Sequence, residues 1–220
     1  MKKVLLVLTF IFFANIFLTG CSYGNLNNRV TSYGADDVAV LSIFTFDGKG
    51  ESKYGIANLG HSFLSVTNTS SSNINLAGKD ILPNEELYFG TWSLSAHFGV
   101  WFNVESNYIE YYNKYNGRIS ISKGITLNDL EILSNHILKN DTWNPLSNCS
   151  CFAINAWNSV ANETEKLQLN LINTPSNLKK QLLQFTNYET NKPIVNYSTC
   201  GYFADLTEDA FVFEGGEVYV

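Results

Sequence analysis

The stretch "NCSCFAINAWNSV" (Asn148–Val160) decides how the fold is read. Two cysteines stand one residue apart at the head of an apolar run. Laid on an α-helix, Phe152, Ala153, Ala156, Trp157 and Val160 share one stripe, with Cys149 at its N-terminal end. Cys151 points about 200° away, towards the side of Asn155, Asn158 and Asn162. Asn148 or Ser147 is a suitable N-cap. The divergence of the two thiols argues against a disulfide between them. It argues equally against a zinc site from Cys149, Cys151, Cys200 and a histidine, because ligands on opposite sides of one helix converge poorly on a tetrahedral ion. Cys149 alone looks into the seam between this helix and whatever covers it.

That position has chemical meaning. A thiol acts as a nucleophile in its thiolate form, and a helix N-terminus favours the thiolate through unpaired N–H groups and the macrodipole. The same N–H groups suit an oxyanion formed during acyl transfer. The competing reading is a small buried hydrophobe. A nucleophile also needs a base, and the histidines are His61, His97 and His136. His136 falls on the polar side of its helix and is expected to be solvated. His97, in the loop-like "SLSAHFGV", serves either packing or a cleft. His61 opens a strand directly after Gly60, and a histidine at a strand's edge facing a helix N-terminus is a suitable general base for a cysteine.

Upstream of this helix the chain reads mainly as strands. "VAVLSIFTF" (Val38–Phe46), "HSFLSVTN" (His61–Asn68) and "ELYFGTWS" (Glu86–Ser93) are β-branched and aromatic. The Gly-rich 48–60 and the polar run "TSSSNINLAGKD" (Thr69–Asp80) read as loops, and "YIEYYNKYNGRISISKG" (Tyr108–Gly124) as one or two shorter strands. Then "TLNDLEILSNHILKN" (Thr126–Asn140) opens with a Thr126/Asp129 capping pattern and repeats Leu130, Leu133 and Ile137. A further helix starts at Thr174, with Pro175 at its first position. Strands first and helices later predict an α+β architecture, an antiparallel sheet packed against helices.

The first 20 residues, "MKKVLLVLTFIFFANIFLTG", have the charged head and apolar body of an export signal. The ending "LTGC" resembles the lipobox of bacterial lipoproteins, which implies cleavage before Cys21 and lipidation of its thiol. The expected organisation is therefore a signal over 1–20, a polar tether over 21–37 and one domain over 38–220. The expected location is extracytoplasmic, held to a bacterial membrane by the anchor on Cys21. A net charge of −6 with scattered basic residues disfavours nucleic acid as a partner. Beyond Cys21 the cysteines are Cys149, Cys151 and Cys200, and this odd count leaves a monomer with an unpaired thiol. No cofactor and no metal are expected.

"LGHSFLSVTN", "YFGTWS", "NCSCFAINAWN" and "TPSNLKKQL", in this order, resemble the circularly permuted NlpC/P60 proteins, a branch of the papain-like cysteine hydrolases. The resemblance covers roughly residues 38–185. It implies a papain-like sheet and helices, Cys149 as nucleophile and His61 as base. It also implies a third polar residue on the strand after the histidine. Thr91, Ser93 and Glu86 are on offer there, and Thr91 is chosen. The implied activity is hydrolysis of an amide or ester bond, with cell-wall peptides as the first substrate class. The alternative is a non-catalytic lipoprotein that uses the same scaffold to bind envelope ligands.

Overall fold

β-Branched and aromatic residues on a period of two build the centre of the molecule. A computed structural model describes Arg29, residues 31–49, 60–195, Tyr197 and 199–206, together with the backbone of strands at 211–214 and 217–219. The expected signal over 1–20, Cys21 and most of the Gly-rich 48–60 lie outside these residues. The elements are β1 (Ala39–Phe46), β2 (His61–Asn68), β3 (Ile74–Leu76), β4 (Lys79–Ile81), β5 (Glu86–Leu94), β6 (His97–Phe102), α1 (Val104–Tyr112), β7 (Ile119–Ile125), α2 (Leu127–Lys139), α3 (Cys149–Val160), α4 (Pro175–Leu182), β8 (Glu189–Thr190), β9 (Thr199–Tyr202), β10 (Phe211–Glu214) and β11 (Glu217–Tyr219). Among the described residues the main sheet has the order β11-β10-β9-β6-β5-β2-β1-β7-β8, with antiparallel neighbours throughout. The protein is thus mixed α+β, an antiparallel sheet packed against four helices.

Alternation along the central strands assigns each side chain to a face. Leu41 and Ile43 of β1, Leu64 and Val66 of β2, and Leu87 and Phe89 of β5 point to one face, where they meet α2, α3 and α4 in the main core. Phe44, Phe46, Phe63 and Tyr88 point to the other face and gather with Tyr108, Ile109 and Tyr115. There Phe44 and Phe63, paired in register, stack with ring centroids 4.7 Å apart. Helix α1 lies on this second face, and its Val104 packs with Trp101 and Cys200.

Several loop and strand expectations give way. The run 69–80 contains the hairpin β3–β4, because Ile74, Leu76 and Ile81 are buried and the turn holds Ala77 and Gly78 at φ 51° and 94°. Two successive positive φ values are what a two-residue hairpin turn requires. "SLSAHFGV" is a hairpin too, with Leu94 paired to His97. The segment expected as strands over 108–124 begins inside α1 and becomes a strand only at Ile119. After α4 the chain returns to the sheet, adding β8 to one edge and β9–β11 to the other.

The helices sit where their caps start them. Thr126 and Asp129 form a reciprocal capping box on α2. Thr174 caps α4 through Asn177 N–H, with Pro175 in the first turn. The region expected as a tether, 21–37, is bound to the domain from Arg29 onward. The Arg29 guanidinium donates to the carbonyls of Thr164 and Lys166, and Ser32 N–H and Oγ donate to Glu165 at 2.7 and 2.8 Å. Glu165 in turn accepts from the buried Lys123 Nζ at 2.8 Å. Among the described residues no helix is long and apolar enough to cross a membrane.

Candidate active site

Cys149 is the first residue of α3, and Asn148 sets its position. In extended conformation, Asn148 accepts from the N–H groups of Ser150 and Cys151 at 3.0 and 3.1 Å. Its amide donates to the carbonyls of Asn173 and Pro145 at 2.9 and 3.2 Å, which fixes the helix start between two loops. The cap satisfies the second and third helical N–H groups and leaves that of Cys149 at the open end. Phe152, Ala153, Ala156, Trp157 and Val160 form the buried stripe. Cys151 faces the other way, with Asn155 Nδ2 3.5 Å from its sulfur.

A chain of buried hydroxyls locks this helix end to the sheet. Ser150 Oγ lies 2.9 Å from Ser62 Oγ, which lies 3.0 Å from Thr45 Oγ1, and Thr45 Oγ1 donates to the Pro175 carbonyl at 3.0 Å. Each hydroxyl has one proton. Thr45 donates to the Pro175 carbonyl, so Ser62 donates to Thr45, and the Ser150 hydroxyl at the other end of the chain also helps lower the Cys149 pKa. Four elements, α3, β2, β1 and α4, are joined through three small side chains.

His61 opens β2 on the second face of the sheet, 7% exposed, at the rim where the two faces meet. Gly60 before it holds φ 76°, and a Cβ there would lie 2.3 Å from the Phe46 carbonyl oxygen. The ring is enclosed by Trp92, Tyr115 and Phe63, with centroids 4.2, 5.8 and 5.9 Å away. Its Nε2–H donates to Glu105 Oε1 at 3.0 Å, and Trp92 Nε1–H donates to the same oxygen at 2.8 Å. Glu105 is fully buried in the first turn of α1, where the helix end favours a negative charge. Gly90 makes this approach possible: a Cβ there would lie 2.7 Å from Glu105 Oε1 and 3.2 Å from Phe63 Cβ.

Besides Glu105 on Nε2, the His61 ring has the Cys149 thiol as a hydrogen-bond partner. Burial alone would depress the His61 pKa, but the hydrogen-bonded Cys149 thiolate and then Glu105 hold it up, at about 9. Burial likewise pushes the Cys149 thiol up, but His61 and the Ser62 N–H outweigh it and bring the pKa below its ordinary value. The two shifts agree: each group favours the charged form of the other. Such a pair presents a nucleophile and a proton donor at once.

The structure brings Cys149 and His61 together and turns Thr91 away. Antiparallel partners share a face, and the β2–β5 register pairs Leu64 with Phe89. Extended to the strand's start, that register sets Trp92, not Thr91, opposite His61. Thr91 is buried on the opposite face, and its hydroxyl has no hydrogen-bond partner among the described residues. Glu86 instead accepts from Ser65 and Tyr88 hydroxyls, the latter at 2.6 Å. The residue that holds the imidazole, Glu105, comes from α1, where sequence reasoning had placed no helix. The sequence carries no side-chain cap there and no apolar stripe; the acidic Glu105 in the first turn is its one helix-start feature. His97 bonds Asp141 at 2.8 Å and stacks on Tyr202 at 4.6 Å. His136 corrects another expectation: it lies against Phe152, centroids 5.5 Å apart, with Nε2 buried, and burial lowers its pKa. Cys200 is fully buried, and burial pushes its thiol up to about 12.

Among the described residues no group of three or more His, Cys, Asp or Glu is arranged to hold a metal ion. The chain matches no protein-family model, no curated protein and no solved structure.

Proposed function

We propose that this protein is a cysteine hydrolase of the papain-like, permuted NlpC/P60 kind, anchored in the cell envelope by lipid on Cys21. The observation that carries the reading is the His61 imidazole, hydrogen-bonded both to the buried Glu105 and to the helix-capped Cys149. In this mechanism the Cys149 thiolate attacks the carbonyl carbon of an amide or ester. The Cys149 N–H, left open by the Asn148 cap, donates to the oxyanion. The imidazolium of His61 passes its proton to the leaving nitrogen or oxygen as the C–N or C–O bond breaks. Neutral His61 then takes a proton from water, the hydroxide adds to the thioester, and the C–S bond breaks to restore thiolate and imidazolium. Glu105 holds the ring and favours its charged form throughout. Cell-wall peptides are the first substrate class to assay.

Limited iodoacetamide labelling near pH 6, followed by peptide mapping, tests the reading. The expected adduct is on Cys149, because its lowered pKa gives it a larger thiolate fraction than an ordinary thiol has. Hydrolysis should also fall as pH rises through about 9, where His61 loses the proton that the leaving group needs. The sign follows from the pair: Cys149 is deprotonated above its lowered pKa, and His61 is protonated below its raised one. Labelling of Cys151 in preference to Cys149, with the fold intact, rejects the mechanism and leaves a binding module on the same scaffold.

A further inference from the structure

Between α3 and α4 one loop displays three apolar side chains. Leu171 is 93% exposed, Ile172 58% and Leu169 47%. Polar side chains of the loop and of the two flanking helices hold its shape. Asn158 exchanges two bonds of 2.7 Å with the Leu167 backbone, Gln181 brackets the Gln168 backbone at 2.6 and 3.0 Å, and Asn173 bonds Asn170 at 2.9 and 3.2 Å. The leucines are thus displayed by a built loop. Across Asn148, which bonds the carbonyls of both Pro145 and Asn173, stands Leu146, 70% exposed. These side chains form an apolar rim beside the N-terminus of α3 and Cys149.

The far end of the loop is where the N-terminal segment meets the domain. Arg29 and Ser32 grip the turn at Thr164–Lys166, and the Arg29 guanidinium lies 4.2 Å over the Phe185 ring. Eight residue steps separate Cys21 from Arg29, a reach of at most about 29 Å. A lipid on Cys21 therefore holds this side of the domain within about 29 Å of the bilayer. From the clamp, the loop runs back along α3, about 18 Å of helix, to the Cys149 end. Lys180, exposed on α4 next to Gln181, adds a cation at the border.

We propose that Leu146, Leu169, Leu171 and Ile172 form a docking surface that enters the bilayer carrying the anchor. Exposed apolar residues grouped on one side mark an interaction surface, and an acyl anchor becomes durable when a second contact joins it. Docked this way, Cys149 opens at the headgroup level, and the site acts on molecules presented at the membrane surface. The docking rests on the lipid anchor at Cys21 and not on the hydrolytic chemistry; only what the docked site acts on rests on both.

The test uses the full chain purified from membranes and reconstituted in phosphatidylethanolamine–phosphatidylglycerol vesicles with brominated acyl chains. Leu171→Trp reports from the rim, and Val195→Trp, also at an exposed position, reports from the opposite face of the sheet. Quenching of the added emission should be several-fold stronger at 171 than at 195, and adding Ile172→Asp should reduce it. Equal quenching at the two positions overturns the docking surface. Intact mass of the N-terminal peptide separates the two readings. Absence of lipid on Cys21 overturns the anchor and the proposal with it. Lipid on Cys21 with equal quenching overturns the docking alone. Iodoacetamide mapping of Cys149 in the same sample judges the hydrolase reading separately.

Discussion

On the helix face of the sheet, leucine, isoleucine and phenylalanine from β1, β2 and β5 meet the apolar stripes of α2, α3 and α4. On the other face, α1 buries Glu105, Ser106 and Asn107 to 1% exposure or less among rings of tyrosine, tryptophan and phenylalanine. The first face follows the pattern that burial of apolar surface dictates, and its buried charges, Lys123 and Glu165, neutralise each other. The second carries a carboxylate where desolvation opposes it, held by two N–H donors on one oxygen. Glu165 thus answers a lysine, whereas Glu105 answers the ring of His61. The candidate site joins the two faces: Cys149 arrives on a helix of the first face, and His61 and Glu105 stand on the second.

The largest expected effect separates the two thiols of α3. Cys149→Ser should lower acyl transfer from a chromogenic ester by at least about a thousandfold, while Cys151→Ser stays near the wild-type rate. Equal losses would mean that the helical phase does not decide which thiol reacts. Next comes the second face. Glu105→Gln, which keeps shape and hydrogen-bond capacity, should cost about a hundredfold in rate. It should also move the alkaline limb of the pH profile below about 9, because the His61 proton loses the carboxylate that helps hold it. Thr91→Val should leave the rate unchanged and the stability equal or higher by up to about 1 kcal/mol, since it removes a buried hydroxyl without a partner. A rate loss at Thr91 larger than at Glu105 would return the third role to the strand. The smallest effect is expected at the join itself. Ser150→Ala removes one link of the hydroxyl chain and should lower stability by about 1 kcal/mol in a denaturant titration, with only a minor change in rate.

These contrasts also explain what the sequence discloses. Helix α3 is legible because its apolar residues keep one phase and Asn148 supplies a start; α2 and α4 likewise carry their caps in the sequence. Helix α1 lacks both signals. Asn103 begins it in the left-handed region, at φ 60°, with no side-chain cap, and Asn113 ends it at φ 50°. Its polar residues are buried like its apolar ones, so the amphipathic period that reveals a surface helix is missing. Tyrosines that favour strands then tilt the local reading the wrong way. Thr91 is hidden for a simpler reason. Residue identity alone does not disclose strand phase, and a register fixed by Leu64 and Phe89 puts odd-numbered residues of β5 on the face away from His61.

The hydroxyl relay from Ser150 to Pro175 has a consequence for when reactivity begins. Its links come from chain segments as far apart as Thr45 and Pro175, so the relay is complete only once β1, β2, α3 and α4 have met. Only then does His61, at the head of β2, stand beside Cys149, at the head of α3, and before that the thiol lacks the partner that lowers its pKa. Afterwards it is set apart. Its alkylation rate is therefore a built-in gauge of completed folding, and a chain not yet folded carries its reactive group in a dormant form.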